Sequence, residues 1–123
     1  MRRPLRVLVV DDHLLARCSL RRQLLDLPDL QVVGEATDGF EAVALATTLA
    51  PDLIFMDISM PGLNGLEATR RVTRESPRVR VIILSSHEGL RDAARAAGAA
   101  GYLLKGQTTQ GLAAAIQQVF GSR

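Results

Sequence analysis

The sequence predicts a doubly wound α/β fold, a (βα)5 three-layer sandwich built round one parallel five-stranded sheet, and three observations carry that prediction. Five short apolar or β-rich runs recur along the chain, stretches of helical periodicity separate them, and the runs are continuously apolar rather than alternating. Strand–helix alternation at this spacing builds βαβ units with right-handed crossovers, and strands that lack a polar face belong in a sheet covered on both sides.

The predicted strands are Leu5 to Val10, Gln31 to Glu35, Leu53 to Asp57, Val79 to Leu84 and Gly101 to Leu104. A first helix is expected from Leu14 to Leu27, with Leu14, Leu20, Leu24 and Leu27 near one face, Arg17, Arg21 and Arg22 elsewhere, and Pro28 as its stop. Asp38 is a candidate N-cap for the second helix, with Glu41 three positions on, and Pro51 closes that helix after Ala50. Asn64 opens a third helix that Pro77 ends, Gly98 terminates the fourth as a left-handed cap, and the fifth runs from about Thr109 to Phe120.

Length and composition narrow the function classes. A chain of 123 residues has the common size of one domain, so a single domain over residues 1–123 is expected, without a linker or output domain before the chain stops at Arg123. With 47% apolar and 23% charged residues the chain fits neither disorder nor a coiled coil, and every apolar run is too short to span a bilayer. Arg2 and Arg3 precede an apolar stretch, but Asp11 and Asp12 interrupt it and no cleavage site follows, so nothing directs secretion. Cys18 is alone, which rules out an internal disulfide and points to the cytoplasm. A pI near 9.3 raises the question of nucleic acid, yet the net charge is only +2 and the arginines are scattered, a weak footprint for direct DNA binding. No G-x-G-x-x-G or Walker-type loop supports a nucleotide site.

In open parallel sheets ligands sit beyond the carboxyl ends of the strands. There this chain carries Asp11 and Asp12, then Asp57, then Ser85 and Ser86, then Lys105, the one lysine among fifteen basic residues. Taken singly, Asp11 or Asp12 is equally well explained as a helix N-cap. Taken together, three carboxylates converge if the first and third strands are neighbours, and two like charges about 4 Å apart repel by roughly 4 kcal/mol at an effective dielectric of 20. A small hard cation relieves this: Mg²⁺ takes octahedral oxygen ligands, with Asp12 and Asp57 as its direct carboxylates and Mn²⁺ as a substitute. Asp57 then suits the role of nucleophile toward a phosphoryl group, with Lys105 and the Ser85 hydroxyl left to hold the remaining phosphoryl oxygens.

The strings VLVVDDH (Val7 to His13), LIFMDISMPGLNG (Leu53 to Gly65), VIILSS (Val81 to Ser86) and GYLLK (Gly101 to Lys105) resemble the receiver domain of bacterial two-component response regulators, over almost the whole chain. The DDH start and GYLLK are similar to the NarL/FixJ branch, whose members usually carry a helix-turn-helix DNA-binding domain after the receiver. The resemblance implies the strand order 2-1-3-4-5 and a phosphoacceptor signalling domain rather than an enzyme, one limited to its own phosphotransfer and dephosphorylation. It implies that Asp57 accepts a phosphoryl group from a sensor histidine kinase or phosphotransfer protein. Asp11 and Asp12 position Mg²⁺, with Asp57 and the main-chain carbonyl of Ser59 as further ligands, and Lys105 binds the phosphoryl group.

Further implications are that Ser85 is the switch hydroxyl and Tyr102 the aromatic that turns inward, coupling the site to the surface of the fourth helix, fifth strand and fifth helix. Ordinary packing accounts for Tyr102 as well. Pro61, Ser86 and His87 fall in loops near the site, where a tuning role and no role are equally open, and His13 is read as structural. The stretch from Ser85 to Lys105 is shorter than the family pattern and rich in alanine, so a short fourth helix is expected and a homodimer through that face is doubtful. DNA would be reached only through an output domain, and no membrane partner is expected.

Three rivals are weighed on the residues. A haloacid-dehalogenase-type phosphatase wants a second aspartate two residues after Asp57, where Ser59 stands. A flavodoxin-type carrier needs a Ser/Thr/Gly-rich loop after the first strand, where Asp11, Asp12 and His13 would repel a phosphate. A receiver-shaped interaction module that is never phosphorylated is expected when an acid or the lysine is lost, and all are present.

Overall fold

Continuous apolar runs bounded by capping residues become five strands and five helices in the computed structural model, which describes residues 3–121. The strands are β1 (Leu5–Val10), β2 (Leu30–Ala36), β3 (Leu53–Asp57), β4 (Arg80–Ser85) and β5 (Gly101–Leu104). The helices are α1 (Leu14–Leu25), α2 (Gly39–Leu49), α3 (Gly65–Glu75), α4 (Arg91–Ala96) and α5 (Thr109–Phe120). Arg2 and Arg123, invoked in the reading of the termini, lie outside the described residues.

All pairings are parallel and the order is β2-β1-β3-β4-β5, the doubly wound arrangement expected. Side-chain alternation splits the core in two. Leu8, Val10, Ile54, Met56, Val81 and Ile83 face α2, α3 and α4, whereas Val7, Val9, Leu53, Phe55, Ile82 and Leu84 face α1 and α5. Every residue of β3 is buried, as its position at the centre of a sheet covered on both faces requires.

The caps behave as their chemistry dictates. The Asp38 carboxylate accepts from the Glu41 amide at 2.8 Å, and the Asn64 side-chain oxygen accepts from the Glu67 amide at 3.0 Å. Asn64→Ala is expected to lower stability by about 1 kcal/mol in urea unfolding, the usual worth of such a cap; an unchanged midpoint would show that α3 is held by packing alone. Gly98 has φ of 100° and closes a Schellman motif, its amide donating to Arg95 and that of Ala99 to Ala94.

Two details of the sequence reading are corrected. Helix α1 ends at Leu25 rather than Leu27, and Leu14 is 62% exposed rather than buried with Leu20 and Leu24. At 100° per residue Leu20 and Leu24 lie some 40° apart on the helix, while Leu14 falls far round from both. Arg17 instead shares their face, and it is the residue that turns inward. Strand β4 is shifted by one residue because Arg80 pairs with Leu53 and Ser85 pairs with Leu104, extending the ladder at its far end. The fourth helix is short, six residues after a 3₁₀ turn at Glu88–Leu90.

Candidate functional site

The site forms at the carboxyl edge of the sheet, where β1, β3, β4 and β5 deliver their last residues. Asp57 ends the buried strand β3, opposite Leu84, so its backbone has little freedom. The following loop is folded back by two main-chain bonds, from Ile58 to Leu84 at 3.2 Å and from Gly65 to Ile58 at 3.0 Å. That return brings the Ser59 amide within 3.3 Å of Asp57 Oδ1. Asp11 is anchored by its amide on the Ala36 carbonyl, and its Oδ1 accepts from the His13 amide at 2.9 Å. Lys105 leaves β5 with its own amide on the Ser85 carbonyl.

The Lys105 ammonium stands between two carboxylates, 3.1 Å from Asp57 Oδ1 and 3.2 Å from Asp11 Oδ2. Burial raises the Asp57 pKa above the ordinary carboxylate value, and the nearby Asp11 charge adds to the rise against the pull of Lys105 and the Ser59 amide. Burial alone would lower Lys105, but hydrogen bonding and charge from Asp57 and Asp11 outweigh it and hold the ammonium above its usual pKa.

Among the described residues one cation, Lys105, stands against three carboxylates, which leaves the cluster short of positive charge. Among the described residues, Asp57 Oδ2 and Asp12 Oδ1 are buried side-chain oxygens without a hydrogen-bond partner. His13 Nδ1 lies 3.1 Å from Asp12 Oδ1, a contact that bonds only when that nitrogen carries a proton. Ligand atoms of Asp11, Asp12, His13 and Asp57 all fall within 4.8 Å of one another. The pocket of Asp11, Asp12 and Asp57 therefore fits Mg²⁺, a hard ion that prefers carboxylate oxygens to the imidazole at the exposed rim.

Ser85 is fully buried at the end of β4, its Oγ accepting from the His87 amide at 3.0 Å, which leaves the hydroxyl proton free to donate elsewhere. Tyr102 is buried: its phenol donates to the His87 carbonyl and the Arg91 guanidinium lies 4.9 Å from its ring centroid. Ser59, Pro61, Ser86 and His87 are exposed around the mouth. Two participants escaped the sequence reading. Arg17 donates to the Asp11 carbonyl at 2.9 Å, for which its place on the inward face of α1 was a usable signal; Arg91 over Tyr102 had none.

This fold and strand-end acid cluster define a signalling receiver domain. The family model for the response regulator receiver domain matches residues 7–117, and the chain belongs to that family. It is 42% identical over 121 residues to the response regulator GacA of Pseudomonas aeruginosa, covering 97% of this chain and 56% of that protein. It is 45% identical over 119 residues to UvrY of Escherichia coli K12, covering 95% and 55% respectively. The chain thus spans about half the length of the curated relatives it matches. Among solved structures, the receiver domain of the response regulator NarL from Mycobacterium tuberculosis superposes with a TM-score of 0.90 at 34% identity, covering 98% of this chain and 100% of that one. The response regulator domain of Thermotoga maritima CheB gives 0.88 at 36% identity, covering 98% and 99%. Among the described residues, no helix is long and apolar enough to cross a membrane.

Proposed function

We propose that residues 1–123 act as one phosphoacceptor unit in which Asp57 takes a phosphoryl group from the phosphohistidine of a sensor kinase or phosphotransfer protein. The observation that carries this reading is the asymmetry of Asp57: Oδ1 is held by Lys105 and the Ser59 amide, while Oδ2 is buried with no hydrogen-bond partner among the described residues. An oxygen with free lone pairs is the one that attacks. A bond forms between Oδ2 and phosphorus, the phosphorus–nitrogen bond of the donor breaks with its electron pair on nitrogen, and the imidazole, already protonated on its other ring nitrogen, leaves neutral, giving an acyl phosphate.

When bound by Asp11, Asp12, Asp57 and the Ser59 carbonyl, Mg²⁺ (or Mn²⁺) supplies charge neutralisation for the incoming phosphoryl oxygens. Lys105 and Ser85 hold the remaining oxygens, and movement of the Ser85 hydroxyl toward them releases the His87 amide, through which Tyr102 and the α4-β5-α5 surface respond. Two or three charge-assisted bonds at ~1–3 kcal/mol each approach the ~5.5 kcal/mol that inverts a 1:99 equilibrium. Leu14 and Leu15, 62% and 83% exposed beside Asp12 and His13, offer an apolar ledge to the helix bearing the donor histidine. The output is a DNA-binding domain, as in the branch the chain resembles, and the setting is cytoplasmic.

Intact mass after incubation with acetyl phosphate and Mg²⁺ tests this. Wild type is expected to gain one phosphoryl group, and Asp57→Asn or wild type with EDTA to gain none. Should wild type stay unmodified with both acetyl phosphate and a cognate kinase, the phosphoacceptor reading fails and a phosphorylation-independent interaction module takes its place.

A further inference from the structure

The polar cluster at the base of the β1–α1 loop contains an arginine that touches neither the phosphoacceptor nor a proposed ligand oxygen. Arg17 is only 12% exposed at its side chain, an uncommon place for a guanidinium on the inward face of an amphipathic helix. It is committed at two points. Nη1 donates to the main-chain carbonyl of Asp11 at 2.9 Å, and Nε donates to Glu35 Oε1 on β2 at 3.1 Å. The other oxygen of Glu35 accepts from Arg21 at 2.8 Å, so Glu35 is gripped from both sides and the Arg17 guanidinium has one orientation.

The Asp11 carbonyl belongs to the peptide plane that joins Asp11 to Asp12. Peptide planarity means that fixing this carbonyl also fixes the direction from which the Asp12 main chain emerges. Asp12 needs that help. Its Oδ1 is buried without a hydrogen-bond partner among the described residues, so apart from the 3.1 Å contact to the exposed His13 it is aimed by its backbone. Asp11, in contrast, is held directly by the His13 amide and Lys105.

We infer that Arg17 is a positioning residue for the divalent-cation site: by holding the Asp11 carbonyl, with Glu35 as its brace, it aims the Asp12 carboxylate into the acid cluster. The inference rests on the reading of Asp11 and Asp12 as metal ligands and extends it to a residue outside the ligand set. Groups in this outer position characteristically change metal affinity 10–100-fold when removed.

Direct Mn²⁺ titration by calorimetry on the 123-residue protein, with urea unfolding in EDTA on the same samples, separates this from a purely structural tie between α1 and β2. Arg17→Met keeps the apolar stem and removes the donors; it is expected to weaken Mn²⁺ binding by about tenfold or more. Glu35→Ala breaks the α1–β2 ion pair but leaves the bond to the Asp11 carbonyl, and is expected to weaken binding less at a comparable loss of stability. Arg17→Lys restores one donor and recovers part of the affinity. Arg17→Met titrating like wild type, or Arg17→Met and Glu35→Ala losing affinity equally, overturns the positioning role. If wild type takes up no Mn²⁺, or Asp12→Asn titrates like wild type, the metal-site reading itself fails and the inference falls with it.

Discussion

Gly65→Ala is expected to cost about 3 kcal/mol or more of unfolding free energy and to abolish phosphoryl uptake at Asp57. The first residue of α3 sits against the end of β3, where an added Cβ would lie 2.1 Å from the Asp57 carbonyl oxygen and 2.8 Å from Ile58 Cα. Both obstacles are main chain, so no side chain can swing aside, and α3 must retreat from the strand that carries the acceptor. Retreat also breaks the Gly65–Ile58 bond that folds the loop back and brings the Ser59 amide to the Asp57 carboxylate. Gly89→Ala is the control, since an added carbon there meets none of the described residues within 4 Å. Urea unfolding followed by circular dichroism, together with the acetyl phosphate mass assay, reads both effects. A Gly65→Ala protein with wild-type midpoint and full uptake would show that the loop relaxes freely and that its register is not what aims the acid.

In metal-free buffer at neutral pH, Asp57→Asn is expected to be more stable than wild type, and Mg²⁺ is expected to stabilise wild type alone. Burial, then the Asp11 charge, holds the folded Asp57 pKa above its unfolded value near 3.8. The unfolded chain therefore releases this proton at lower pH than the folded one. The favourable contribution is fully present below the unfolded value and is lost as pH rises through the folded one, so metal-free wild type bears a penalty that grows across that window. Asparagine keeps the shape, carries no charge and leaves Lys105 its 3.2 Å contact with Asp11. A domain of this size moves by roughly 4 °C per kcal/mol, so the relief of that penalty reads as a raised thermal midpoint. Mg²⁺ reverses the order by binding the folded wild type, adding about 2.7 kcal/mol at a hundred times its dissociation constant. Thermal melts of both proteins across pH 4 to 7.5, with EDTA and with Mg²⁺, test the pair of claims. A less stable Asp57→Asn in EDTA at pH 7 would mean that the ion pair with Lys105 outweighs the burial of the charge.

Fold class was legible because the core strands lack any polar face: the bounds of Leu53–Asp57 and Gly101–Leu104 follow from where apolar residues stop. The acids were legible for the same reason, since a carboxylate that ends a buried parallel strand lies where the sheet opens. Errors arose where a residue's angular place on a helix decides its environment. Leu14 fits a loose apolar periodicity with Leu20 and Leu24, yet its angle sends it to solvent, and Arg17 is charged, yet it lies on the face of Leu20 and Leu24. A buried arginine is tolerable only once Glu35 and the Asp11 carbonyl are brought to it, and that convergence of α1, β1 and β2 is not written in any local stretch. The bond from Tyr102 to the His87 carbonyl likewise joins residues 15 apart across a loop whose path only the folded chain defines.

The chain contains one tyrosine and no tryptophan. That tyrosine is buried, bonded through its phenol to the loop after β4 and covered by a guanidinium. Its intrinsic emission, excited in the tyrosine absorption band, is therefore a one-residue optical record of the region between the acid cluster and α4. No engineered label is needed to follow that region in real time.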